Sequence, residues 1–224
     1  MTPEEFLEAV RDEGETALSR LGSSKSLYAD TAGDLEPPAV LRSVATAHHH
    51  AAAAFEGWAE AVGGAGNGTD ASADGPTDLA AAWSAAADRE REVASAVAGE
   101  LDGGAEGFEP GPAPEAVDVL AGLDATPARA GGAVAWALAR GKKAEQATGF
   151  FVGQADPTTA SALRDVGDAL EQQRDEALAV LGSVCTDEED WAAAREAAAD
   201  VLEAAYGEYV AALEEMGVNP KPVC

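Results

Sequence analysis

Seven apolar residues, Val40, Val44, Ala47, Ala51, Phe55, Trp58 and Val62, recur at spacings of 4, 3, 4, 4, 3 and 4. That rhythm keeps one face of an α-helix apolar over about six turns. A strand changes face at every residue and cannot use it. A helix this long with one apolar face has to be buried against partners. Elsewhere in the 224 residues no period-two run of β-branched residues occurs, aromatics are 5%, and alanine supplies much of the 46% apolar content. Alanine is the strongest helix former and lets helix axes approach closely. The sequence therefore predicts an all-α domain of six to eight helices built around a bundle.

Stop and start signals divide the chain. Thr2-Pro3-Glu4-Glu5 reads as a capped helix start, and the apolar positions Phe6, Val10, Ala17, Leu21 and Tyr28 carry a helix to about Ala32, weakened at Gly14 and Gly22. Pro37-Pro38 opens the striped helix, which is expected to end at Gly63-Gly64. A third helix starts near Thr77-Asp78, with the stripe Leu79, Trp83, Ala86, Glu90, Val93, Val97 and Leu101. A short helix follows from Pro114 to Leu123, and another opens at Thr126-Pro127, with an interruption at Gly141-Lys142-Lys143. Asp156-Pro157 caps a long helix to about Leu181, and a capping box at Thr186-Asp187-Glu188-Glu189 opens the last, to Met216. The whole reads as one domain, 1–224. Its helices occupy 1–101 and 114–216, with flexible loops at 63–76 and 102–113 and an extended tail at 217–224.

Forty-one acidic residues against 14 basic ones give a net charge of −27. With so few lysines, this balance is what a cytoplasm near saturating salt selects. At about 1 M salt the Debye length is ~3 Å and self-repulsion is largely screened. There is no basic stripe for phosphate contact, so direct nucleic-acid binding is not expected. No apolar run is long enough to cross a membrane, and the acidic N-terminal segment does not read as a signal or transit peptide. A cytoplasmic protein is expected, with Cys185 and Cys224 as thiols.

Polar residues inside apolar stripes are the candidate functional groups. Glu90 lies mid-stripe on the third helix, where a carboxylate is costly unless paired or coordinating. The later long helix reads Leu163, Gly167, Leu170, Arg174, Ala177 and Leu181, which places Arg174 inward. The readings are a buried Glu90–Arg174 ion pair, a Glu90 that snorkels to the bundle edge, or a metal or catalytic Glu90. His48, His49 and His50, the only histidines, point about 100° apart and cannot converge on one ion. His49 faces away from the stripe, with His48 and His50 on its two flanks, so they read as surface or boundary residues. Trp58, Trp83, Trp136 and Trp191 read as core.

Residues 17–60, ALSRLGSSKSLYADTAGDLEPPAVLRSVATAHHHAAAAFEGWAE, resemble the first two helices of rubrerythrin-like members of the ferritin-like superfamily. ADREREV, residues 87–93, is similar to a further helix of that kind. GFFVGQADPTTAS and the ending MGVNPKPVC resemble a haloarchaeal family in this superfamily, whose members carry the labels "rubrerythrin family" or "transcription antitermination protein". The resemblance implies a ferritin-like up-down bundle over residues 1–101 with additional C-terminal helices. Ferritin-like di-iron sites use inward glutamates and Glu-x-x-His pairs. Here the pairs are half present: Ala47-x-x-His50 keeps the histidine, and Glu90-x-x-Val93 keeps the glutamate. His50 and Glu90 are thus the only metal-ligand candidates.

The expected function is a non-enzymatic ferritin-like module with a degenerate di-iron site, acting structurally or through protein partners in a halophile. No cofactor is expected and the oligomeric state is open. One alternative is a residual metal-binding or redox protein holding iron or manganese. The other is a transcription-associated adaptor that binds protein. No P-loop, dinucleotide-binding glycine motif or nucleophile elbow supports another enzyme class.

Overall fold

A computed structural model describes residues 1–65 and 78–220. The regular structure of the described residues is all helical, with no strand. The nine helices are α1 (Pro3–Glu13), α2 (Glu15–Leu21), α3 (Ser24–Asp30), α4 (Pro37–Ala65), α5 (Leu79–Gly99), α6 (Glu115–Ala121), α7 (Thr126–Gly153), α8 (Pro157–Val184) and α9 (Glu188–Glu215). A short 3₁₀ turn covers Ala105–Gly107. Most of the expected 63–76 loop, and the end of the tail with Cys224, lie outside the described residues. None of the described helices is long and apolar enough to cross a membrane.

The N-terminal start forms as its sequence specifies. Thr2 caps Glu5 N–H, Glu5 returns a bond to Thr2 N–H, and Pro3 takes the first turn. The single bent helix expected to Ala32 is instead three short ones, broken at Gly14 and Gly22. At the first break Leu202 of α9 fills the space a side chain on Gly14 would need, 2.5 Å from its Cβ position.

Two other expectations are corrected. α7 runs unbroken through Gly141-Lys142-Lys143. Burial against α8 and α9 outweighs the roughly 1 kcal/mol propensity cost of one glycine. The capping box of α9 is displaced by one residue. Asp187 is the N-cap, accepting from Glu189 and Asp190 N–H, and Asp190 accepts in turn from the backbone N–H and hydroxyl of Thr186.

α4 and α5 form an antiparallel hairpin, His48 meeting Glu90 and Trp58 meeting Trp83. α4 is buried along the expected stripe and also at Ala45, Ala52 and Ala59, because further helices pack beside it. α7 is the central element: its most extensive partners are α8 on one side and α9 on the other. Residues 129–137 of α7 are all buried. All four tryptophans lie in the core. Phe55, Trp58 and Trp83 pack edge to face at 4.9 and 5.1 Å, and the Arg129 guanidinium stands 5.9 Å over Trp58.

The α7–α9 contact depends on Gly131. A Cβ there would sit 2.1 Å from the backbone oxygen of Ala194, so the two backbones touch. Gly141, ten residues on, meets nothing within 4 Å. Gly131→Ala is expected to destabilise by about 1–3 kcal/mol or more, since a whole helix must shift. Gly141→Ala is expected to stabilise by about 0.5–1 kcal/mol. Urea melts of the two variants measure both signs.

Candidate functional site

The candidate site is a buried carboxylate. Glu90, on α5, is 1% exposed and accepts three hydrogen bonds. His48 Nδ1 of α4 lies 2.5 Å from Oε2. Trp136 Nε1 of α7 donates to Oε1 at 2.7 Å, and Gln173 Nε2 of α8 donates to the same oxygen at 2.9 Å. An ionised carboxylate can only accept, so the imidazole donates a hydrogen bond through its Nδ1–H. One side chain thereby connects four helices. Its depth explains its partners: a carboxylate so far from water is tolerated only when its lone pairs are filled.

Two sequence expectations for Glu90 are corrected. It does not snorkel, being fully buried. Its partner is not Arg174, whose guanidinium binds Asp175 Oδ1 through Nε and Nη2 at 2.9 and 2.8 Å. Four of the six expected inward positions of α8, Leu163, Leu170, Ala177 and Leu181, are buried, but Val166 and Gln173 are buried where Gly167 and Arg174 were expected, and Gly167 faces open space. After Leu163 the apolar step is three residues, to Val166, where the reading took four, to Gly167. A valine at that position was the available signal.

The histidines separate as the helix geometry requires, but with a different assignment. His49 is exposed. His50 is half-buried, and its Nε2 donates to the Gly111 carbonyl at 2.8 Å. Gly111 N–H in turn donates to Thr46 Oγ1 at 3.1 Å, so α4 pins the 111 segment twice. His48, expected at the surface or boundary, is 1% exposed and is the histidine that reaches Glu90. A ferritin-like di-iron centre takes about six ligands from four helices. Here Glu90 meets one histidine, an indole and an amide, while His50 belongs to a different contact. Among the described residues no three His, Cys, Asp or Glu side chains converge. The residues do not fit a di-iron centre.

Basic residues line two clefts. Arg11, Lys142, Arg164 and Arg174 line one; Arg42, Arg140 and Lys143 line the other, where Lys143 binds Asp30 at 2.5 Å. Burial pushes the Arg140 guanidinium below its usual range, partly offset by Asp30, Glu208 and Glu90. Burial likewise raises the Glu208 carboxyl. Cys185, the free cysteine among the described residues, is half-buried, and burial followed by Asp190 and Asp187 pushes its thiol up to about 11. No protein-family model matches the chain, and comparison with curated proteins and with solved structures finds no similar one.

Two measurements test this geometry. Glu90→Ala leaves three buried donors without an acceptor and is expected to cost about 3–5 kcal/mol in a denaturant melt. Glu90→Gln keeps the shape and one acceptor oxygen, and should cost markedly less. Cys185 should react with a neutral alkylating reagent at pH 8 roughly tenfold more slowly than a free thiol, because its thiolate is scarce although more nucleophilic.

Proposed function

We propose that this chain is a non-enzymatic helical module, ferritin-like in descent, whose former metal positions now serve the fold. The observation that carries the reading is the engagement of Glu90: both oxygens already accept from side chains of three other helices. The second ligand candidate, His50, holds a loop carbonyl instead. A carboxylate so engaged stabilises and registers helices.

The module works in this reading through contacts with other proteins in the cytoplasm of a halophile. The strongly acidic composition supports that setting, since at high salt such a surface stays hydrated and its self-repulsion is screened. The same acidity favours a protein partner over RNA or DNA, which require a basic footprint. An adaptor role in transcription would therefore run through protein contact, and the complex would survive nuclease treatment.

Metal content is the decisive experiment. Untagged protein purified in high salt should carry substoichiometric iron and manganese, and Glu90→Gln should not change the amount. Stoichiometric metal that is lost in Glu90→Gln, with the variant still folded by circular dichroism, would overturn the reading in favour of a redox protein.

A further inference from the structure

A cleft of about 380 Å³ opens between α3, α4, the 111–114 segment, α7 and α9. In a chain with only 14 basic residues, three line this one cleft: Arg42, Arg140 and Lys143. They face two carboxylates, Asp30 and Glu208, so the lining carries one excess positive charge in a protein of net charge −27.

Arg140 is the unusual member. It is 6% exposed, and its Nε is enclosed without a hydrogen-bond partner. No hydrogen bond or ion pair joins the guanidinium to any described residue. Its contact is the face of Trp136, 5.5 Å away. Arginine does not deprotonate in proteins, so this is a buried cation without a bonded counter-ion. Lys143 differs, because Asp30 already neutralises it at 2.5 Å. Arg42 is exposed, at the mouth. The remaining wall combines small apolar groups, including Ala39, Ala47, Ala212, Pro112 and Pro114, with the side chains of Thr31, Ser43, Thr46 and Tyr209.

We propose that this cleft binds a small organic monocarboxylate, its carboxylate gripped by Arg140 and its short apolar tail lying along the alanine and proline wall. The guanidinium fork matches a carboxylate through two parallel N–H···O bonds. The single excess charge matches a monoanion, whereas a dianion would meet Asp30 and Glu208. The volume falls in the range of small-molecule sites, which are mostly apolar with a few placed polar groups. The proposal is independent of the scaffold reading, because it uses none of the groups around Glu90 as ligand contacts.

Calorimetric titration of the folded protein at constant chloride tests it, with butyrate, inorganic phosphate and butylammonium as probes. Butyrate should bind saturably at millimolar concentration, and phosphate and butylammonium at least tenfold more weakly. Arg140→Met should weaken butyrate at least tenfold without lowering the melting temperature, since an apolar side chain then replaces a buried charge that no hydrogen-bonded counter-ion holds. Arg42→Ala, at an exposed position, should weaken butyrate by about two- to threefold through lost attraction at the mouth. Butyrate should also raise the melting temperature of the parent protein and not that of Arg140→Met. The absence of saturable butyrate binding, equal binding by Arg140→Met, or a preference for phosphate would each overturn the proposal.

Discussion

The bundle is organised around one carboxylate that water does not reach. Glu90 takes an imidazole, an indole and an amide from three other helices, and each bond has a direction as well as a length. Apolar packing alone tolerates sliding, because one alanine face resembles the next. A buried acceptor does not, since a shift of one residue in α4, α7 or α8 would leave it and a donor unpaired in a medium where each costs about 1–3 kcal/mol. In a core so rich in alanine, this polar centre supplies the register that larger, shaped side chains would otherwise supply.

Small residues set the distances around it. Gly131 brings the backbone of α7 onto that of α9, and the Ala45, Ala52 and Ala59 row lets α4 be buried on more than one side. Close axes leave little room for bulky side chains, which are therefore confined to a few sites such as the Phe55, Trp58 and Trp83 cluster. Interiors at this density transmit a misplaced methyl group to the whole helix pair.

The sequence displayed the helices more clearly than the site. The stripe of α4, the Thr2 capping box and the Asp156-Pro157 start were legible because caps and 3.6-residue periodicity are local properties. The continuity of α7 through Gly141 was not, because neighbouring helices decide it. Glu90 was visible as an inward carboxylate, but its partners were not. Choosing Gln173 over Arg174 required the rotation of α8 to within one residue, and the reading favoured a formal charge over an amide. His48 was hidden for a related reason: it flanks the stripe of α4 and becomes interior because Glu90 of α5 and Trp136 of α7 meet it on that flank.

Trp136 stands between the two polar features of the molecule. Its N–H edge points at the Glu90 carboxylate, and the Arg140 guanidinium lies over its face. The indole is thus held in a fixed electric field with an anion at one side and a cation at the other. Its absorption and emission depend on that field, so the protein carries an internal optical gauge of its own electrostatics, placed where core and cleft meet.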